Sequence, residues 1–187
     1  MDVSTSLQSS TKASRLKRLA LWFIPAAIVT WGIHEFAHWA TGELLGYDMW
    51  LSFNQAGLIQ GEYGSTTHQI LVDLAGPAMT WAQAILALYF IRRFKQGWIY
   101  AFLFLAFWMR GLAMAFSFIS LPNDEARASL LLDLPMSVLP ALSVIVLLVF
   151  TYIGSKTLNI GWKGNIVSIV MASLVTAMIV YADQLIF

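Results

Sequence analysis

Five long runs of apolar residues decide what kind of fold this chain can adopt. They lie at residues 19–44, 69–91, 97–120, 134–154 and 164–186. Each is about as long as the roughly 20 apolar residues that a helix needs to cross a bilayer. Because a backbone surrounded by lipid must satisfy its own hydrogen bonds, these runs are predicted to be helices rather than strands. The predicted fold class is an all-α polytopic membrane protein with about five transmembrane helices.

The composition agrees with a lipid environment. Hydrophobic residues make up 59% of the chain and charged residues 11%, whereas a soluble domain has roughly 25% charged residues. Most of the outer surface is therefore expected to face a lipid bilayer. The net charge of +1 gives no indication of a nucleic-acid partner. The chain has no cysteine, which excludes disulfides and thiolate metal ligands.

Basic residues cluster at alternate junctions between the apolar runs, and this asymmetry predicts an orientation. The clusters are Lys12, Arg15, Lys17 and Arg18, then Arg92, Arg93 and Lys95, then Lys156 and Lys163. The connections on the other side contain only Arg127. The positive-inside rule then predicts a cytoplasmic N-terminus, and the expected location is a cell (inner) membrane. We divide the chain into a cytoplasmic basic tail, residues 1–18, and a membrane-embedded domain, residues 19–187.

The segment between the first two apolar runs, residues 47–67, is neither a span nor a simple loop. Two strand-like runs, Met49–Phe53 and Leu58–Tyr63, flank the sequence Asn-Gln-Ala-Gly at residues 54–57. This pattern predicts a short β-hairpin. Two interpretations stay open: an amphipathic loop resting on the outer interface, and a strand edge that faces an active site.

His34, Glu35 and His38 form an H-E-x-x-H pattern within the first apolar run. On a helix, positions i and i+4 share a face, so both imidazoles can reach one metal ion. The glutamate can contact a metal-activated water and act as general base. The alternative is three polar residues that only hydrogen-bond within a helix bundle. Ionisable groups inside a membrane are costly and usually functional. The pattern therefore favours a catalytic site with Zn²⁺ as the expected ion.

A catalytic zinc site needs a third protein ligand and an open position. Depth along the spans places four candidates in the same half of the protein as the two histidines. In descending order of preference they are Asp124, Glu125, Asp73 and His68. Pro122 ends the third span and lets the backbone turn, so that a short dip brings Asp124 to the metal. For Asp124 and Glu125 the alternative is an ordinary solvated acidic loop.

Arg110 lies deep in the third apolar run and is expected to pair with an acid. A structural salt bridge to Asp73, on a neighbouring span at comparable depth, is the first choice. The second is a role in steadying the oxyanion of a tetrahedral intermediate.

Taken together, these motifs resemble the site-2 protease family of intramembrane zinc metalloproteases. That family has an H-E-x-x-H on its first core helix, a Gly-Pro in the next, and a distal Asp in an Asn- and Pro-containing stretch near a third. The counterparts here, within about residues 30–130, are His34–His38, Gly76-Pro77 and Pro122-Asn123-Asp124. The resemblance implies His34, His38 and Asp124 as zinc ligands and Glu35 as the catalytic base.

The chain departs from the family pattern at two positions. Thr80 stands where members often have an Asn that supports the substrate or the oxyanion. Glu125 stands where members usually have a Gly after the distal Asp. The Gly76-Pro77 pair itself has two interpretations: close helix packing, or a kink that frees a carbonyl beside the metal.

The expected function is hydrolysis of peptide bonds in a membrane-embedded protein substrate, with a metal-activated water and Glu35 as general base. The substrate is expected to unwind locally and to pair with the hairpin as an added strand. Two other classes stay open. One is a catalytically silent relative that acts as a membrane adaptor or chaperone. The other is a metal-dependent membrane hydrolase of a lipid or small amide.

Overall fold

The computed structural model describes the backbone of residues 3–187 and the side chains of residues 14–187. Within that range it has six helices and one two-stranded sheet. The elements are α1 (Val3–Leu44), β1 (Met49–Leu51), β2 (Ala56–Leu58), α2 (Thr66–Phe94), α3 (Ile99–Ser117), α4 (Asp124–Leu131), α5 (Val138–Leu158) and α6 (Gly161–Ile186). The side chain of Lys12, part of the predicted basic tail, lies outside the described residues.

Five of these helices are long and apolar enough to cross a membrane. They are Ser14–Leu44 within α1, and α2, α3, α5 and α6 in full. The predicted fold class, with its hairpin between the first two spans, is confirmed. The short helix α4 was not predicted. It occupies the connection between α3 and α5, where the sequence predicts a loop.

Large apolar side chains cover the outside of the bundle. Leu21 and Ile28 on α1 are 67% and 66% exposed, and many others on α2, α5 and α6 are similarly uncovered. In water such a continuous apolar surface would drive association. It fits the exterior of a multi-pass membrane protein instead.

The core of the bundle forms around α3, which has the largest buried share of the five long helices, whereas α6 has the smallest. Leu103 and Leu105 on α3 are fully buried, together with Phe23 on α1 and Leu147 on α5. Gly154 lets α5 approach closely, because a Cβ there would lie 2.5 Å from Leu103 Cδ2. Small residues at helix contacts are the usual basis of tight packing in membranes, where dispersion rather than water exclusion holds helices together.

The predicted hairpin is present, but its strands are shorter than expected. Met49 pairs with Leu58 and Leu51 with Ala56, so residues 56 and 57 belong to the second strand and not to the turn. The strand predicted for Leu58–Tyr63 is wrong beyond Leu58.

The turn at residues 52–55 is fixed by partners outside the hairpin. Asp183 Oδ1, on α6, accepts hydrogen bonds from the backbone N–H groups of Phe53 (2.8 Å) and Asn54 (3.2 Å). Trp31 Nε1, on α1, donates to Asn54 Oδ1 at 3.0 Å. These contacts from two spans set the position of the turn, and a local strand pattern contains no information about them.

Candidate metal centre

The two histidines of α1 face each other at the heart of the site. His34 Nε2 and His38 Nε2 lie 3.1 Å apart, and the rings meet at 83°. Both residues are buried, with 2% and 6% exposure. One helical turn separates them, so their approach follows directly from the i, i+4 spacing.

Asp124 completes a triangle with these two nitrogens. Its Oδ2 lies 3.2 Å from His34 Nε2 and 3.6 Å from His38 Nε2. Asn123 anchors the start of α4 to the end of α3, because its Nδ2 donates to the Ala113 carbonyl at 2.9 Å and its N–H donates to Ser117 Oγ at 3.0 Å. The three side chains form a group that could hold a metal ion.

The hydrogen bonds on the far side of each imidazole assign the tautomers. His38 Nδ1 lies 2.6 Å from the Val72 carbonyl oxygen, which can only accept, so Nδ1 carries the proton. His34 Nδ1 lies 3.0 Å from Thr80 Oγ1, whose own proton is donated to the Gly76 carbonyl at 3.1 Å. His34 is therefore also protonated at Nδ1. Both Nε2 atoms present lone pairs towards Asp124, the arrangement that supporting hydrogen bonds impose on metal-binding histidines.

Gly76 lets the backbone of α2 pass directly against both rings. A Cβ at this position would lie 2.3 Å from His38 Nε2 and 2.7 Å from His34 Nε2. Close packing at Gly76-Pro77 therefore has a specific consequence: it brings α2 within hydrogen-bond reach of the two histidines. Pro77 has no N–H, so it leaves the Asp73 carbonyl without its usual helical donor.

Thr80 has a role that sequence reasoning missed. It is fully buried and orients His34 through the hydrogen bond to Nδ1. The sequence contains one indication of this role: Thr80 lies four residues after Gly76, so both residues are on the α2 face that meets α1.

Glu35 lines the same cavity as the three ligand-bearing residues and is 7% exposed. The cavity has a volume of about 610 Å³ and is also bordered by residues 54–56 of the hairpin, the end of the turn and the first residue of β2. The Glu35 carboxylate makes no hydrogen bond to any side chain that the structure describes, so it is free to bind a molecule in the cavity.

Arg110 does not pair with Asp73, and the predicted salt bridge is wrong. Its Nη1 lies 2.9 Å from Glu125 Oε2 and 3.1 Å from Asp124 Oδ2, and its Nη2 lies 3.2 Å from His34 Nε2. The cause is α4, whose first turn carries both acids back to α3. Glu125 is therefore the buried counter-ion of Arg110, and the guanidinium lies against the edge of the ligand triangle.

Asp73 pairs with Arg127 instead. Its Oδ1 accepts from Arg127 Nη2 at 2.7 Å and from Nε at 3.0 Å, and the same Nη2 lies 3.2 Å from Asp124 Oδ1. Arg127 thus joins α2 to the start of α4 and fixes the second oxygen of Asp124.

Electrostatics keep the Asp124 carboxylate ionised. Burial raises its pKa, but the guanidinium groups of Arg110 and Arg127 lie 3.1 and 3.2 Å from its two oxygens and favour the ionised form. Asp124 also affects the pKa of Arg127. Burial lowers the pKa of this guanidinium, but Asp73 and Asp124 together raise it above its usual value.

The chain matches no protein-family model, no curated protein and no solved structure. The evidence for its function is therefore the chemistry of the site itself.

Of the four sequence-predicted candidates for the third ligand, the structure brings only Asp124 into the group with the two histidines. Glu125 and Asp73 lie close by, each in its own ion pair. His68 lies apart from the group, where its Nδ1 is 2.8 Å from the Tyr47 hydroxyl.

Proposed function

We propose that this protein is an intramembrane zinc metalloprotease that hydrolyses peptide bonds of membrane-embedded polypeptides. The observation that carries the proposal is the triangle of three lone-pair-bearing atoms, from His34, His38 and Asp124, with Glu35 in the same cavity. Three acceptors that face one another at such distances repel, and Arg110 contacts only two of them, so a cation bound between all three relieves the repulsion that remains.

The dimensions of the triangle suit zinc. Ligand atoms about 2.0–2.1 Å from a tetrahedral zinc ion are about 3.3–3.4 Å from one another. The three edges here are 3.1, 3.2 and 3.6 Å. Two imidazoles and one carboxylate are also the donor set of several catalytic zinc sites, in which the fourth position stays open.

The charge of the site supports a divalent ion. The ion-pair network contains three carboxylates and two guanidinium groups: Asp73, Asp124, Glu125, Arg110 and Arg127. Glu35 adds a fourth carboxylate in the same cavity. With these acids ionised and the imidazoles neutral, two negative charges stay uncompensated, and in a low-dielectric interior they are expensive. One divalent cation neutralises both.

The residues of the site have separate roles in peptide hydrolysis. His34, His38 and Asp124 would hold the zinc ion, which would supply Lewis-acid chemistry for a scissile carbonyl and for water. Glu35 accepts the proton of the attacking water and delivers it to the leaving amine. Arg110 lies against two of the ligand atoms, where its positive charge favours the negative charge that develops on the carbonyl oxygen.

The hairpin supports an extended polypeptide as the substrate. Within the described part of the chain the sheet has two strands, so each strand has an unpaired edge, and the turn borders the cavity. A locally unwound substrate that adds as a strand would place its backbone beside the site. We propose the orientation with a cytoplasmic N-terminus. In that orientation an impermeant thiol reagent applied from outside labels Glu62→Cys and not Lys95→Cys.

The experiment that tests the function is Glu35→Gln, assayed in liposomes against a panel of single-span membrane polypeptides. Loss of a general base costs about 10²–10⁴-fold in rate, while bound zinc is expected to stay. Glu62→Gln is the matched control, since Glu62 is exposed and lies outside the cavity. Normal cleavage by Glu35→Gln would show the mechanism to be wrong. Wild-type protein that holds zinc but cleaves no polypeptide would favour the adaptor, and cleavage of lipid alone would favour the lipid hydrolase.

A further inference from the structure

Acidic and basic side chains are segregated to opposite ends of the helix bundle. All nine carboxylate residues between positions 14 and 187 lie in the half that contains the metal centre. Eight of the ten cationic residues in that range lie at the other end, which we call the basic end. They are Arg15, Lys17, Arg18, Arg92, Arg93, Lys95, Lys156 and Lys163.

A second large cavity, of about 640 Å³, opens at the basic end. Arg15 and Arg18 from α1, Lys95 from the α2–α3 connection and Lys163 from α6 line it, and no carboxylate among residues 14–187 does. Among the described side chains, none of these four forms an ion pair. Four like charges around one cavity repel one another, and an anion bound between them relieves that repulsion.

Two helix N-termini add to the positive potential of this cavity. α3 and α6 both begin there, and their N-cap residues, Trp98 and Ile160, line the cavity without any side-chain cap within the described part of the chain. The helix dipole is positive at the N-terminal end of each helix. In α3 the N–H groups of Ile99, Tyr100 and Ala101 already donate to the carbonyl oxygens of residues 96–98, so α3 contributes its dipole rather than free donors. The dipoles of both helices favour a phosphate group.

The walls of the cavity indicate a lipid rather than a soluble anion. Leu16 and Leu19 on α1 contribute apolar wall surface beside the cations. Trp98 stacks on Trp22 at 4.8 Å, and Trp162 is 69% exposed beside Lys163. Because tryptophan rings concentrate at the level of lipid headgroups, these rings place the cavity at headgroup depth. We propose that the cavity binds the phosphate headgroup of an anionic phospholipid, with the acyl chains against the apolar wall. The site is separate from the metal centre and independent of the protease proposal.

The test compares two double variants that remove equal charge from the basic end. Lys95→Gln with Lys163→Gln removes two lysines that line the cavity. Arg92→Gln with Lys156→Gln removes two exposed cations that do not line it. Full-length protein in micelles is given an equal mixture of phosphatidylglycerol and phosphatidylcholine, and native mass spectrometry measures the ratio of the two lipids that stay bound. Circular dichroism confirms that each variant is folded.

We expect wild-type protein to retain phosphatidylglycerol preferentially. Each lysine near an anionic headgroup is worth about 1 kcal/mol, so the cavity variant should lose the preference by about thirtyfold. The control variant should lose no more than about threefold, because its charges are screened from the cavity. Equal losses in both variants would mean general attraction to the basic end and would overturn the site. Displacement of the lipid by an equal concentration of inorganic phosphate would also overturn the proposal, because it would assign the cavity to a soluble phosphate.

Discussion

Replacing Gly76 by alanine tests the metal centre where α2 passes closest to both histidines. The added Cβ would lie 2.3 Å from His38 Nε2, while ordinary van der Waals contact begins at 3.4 Å. The His38 ring, or the helix carrying it, must therefore retreat by the difference between 3.4 and 2.3 Å, about 1.1 Å. Metal–ligand distances tolerate only about 0.2 Å of error.

A displacement several times that tolerance breaks the ligand triangle. We expect Gly76→Ala to lower zinc affinity by at least about 100-fold, the upper end of what the loss of one supporting hydrogen bond causes. The protein should still fold, because overpacking of one methyl group costs about 1–3 kcal/mol. Zinc affinity is measured by competition with a chromophoric chelator, and stability by thermal unfolding in detergent.

Two other glycines supply matched controls. Gly154→Ala creates a similar clash, 2.5 Å from Leu103 Cδ2, but far from the metal centre. It should lower stability and keep zinc. Gly32→Ala lies on the same helix as the histidines and meets no described atom within 4 Å, so both quantities should stay near wild type. Wild-type zinc affinity in Gly76→Ala would refute the inference that α2 holds the rings in their metal-binding positions.

Three further changes separate the supporting residues by role. Thr80→Val removes the acceptor for His34 Nδ1 and should weaken zinc binding about 10–100-fold in the same competition assay, while Thr80→Ser should restore it. Asp124→Asn should lose zinc on dialysis, whereas Glu125→Gln should keep zinc and unfold at lower temperature; the opposite pattern would move the ligand one residue along. Asp183→Ala should speed hydrogen exchange of the two amides in the hairpin turn, with Asp183→Asn close to wild type because it keeps the acceptor. Unchanged exchange in Asp183→Ala would show that this carboxylate does not hold the turn.

The parts of the fold that were predictable from the sequence are those set by local pattern. A helix must be apolar over its whole length to cross a bilayer, so the long runs at positions such as 69–91 and 164–186 identify spans without further information. α4 has eight residues of mixed polarity between Pro122 and Pro135, too few for a periodic signal. The hairpin turn depends on Asp183, which is 129 residues away from Asn54 in the chain.

At the candidate metal centre, too, the features set by local sequence could be predicted and those set by distant contacts could not. The spacing of the two histidines and the chain turn at Pro122 are local, and they led to the ligand set that the structure brings together. The predicted partner of Arg110 was based on its depth along the span. Depth gives the distance of a residue from the membrane interface, but it does not give the neighbouring helix that the residue faces. The sequence predicts comparable depths for Asp73 and Arg110, yet Asp73 pairs with Arg127 on α4.

The order of the ligand-bearing helices along the chain has a consequence for biogenesis. α1 leaves the ribosome first with two imidazoles, and their Nδ1 partners on α2 follow 34 and 46 residues later. Asp124 follows His34 by 90 residues. The first two helices can therefore settle together in the membrane with one nitrogen of each ring already satisfied. A nascent chain that ends before α4 has only two of the three candidate ligands, so the candidate metal site is complete only after the third long helix has been inserted.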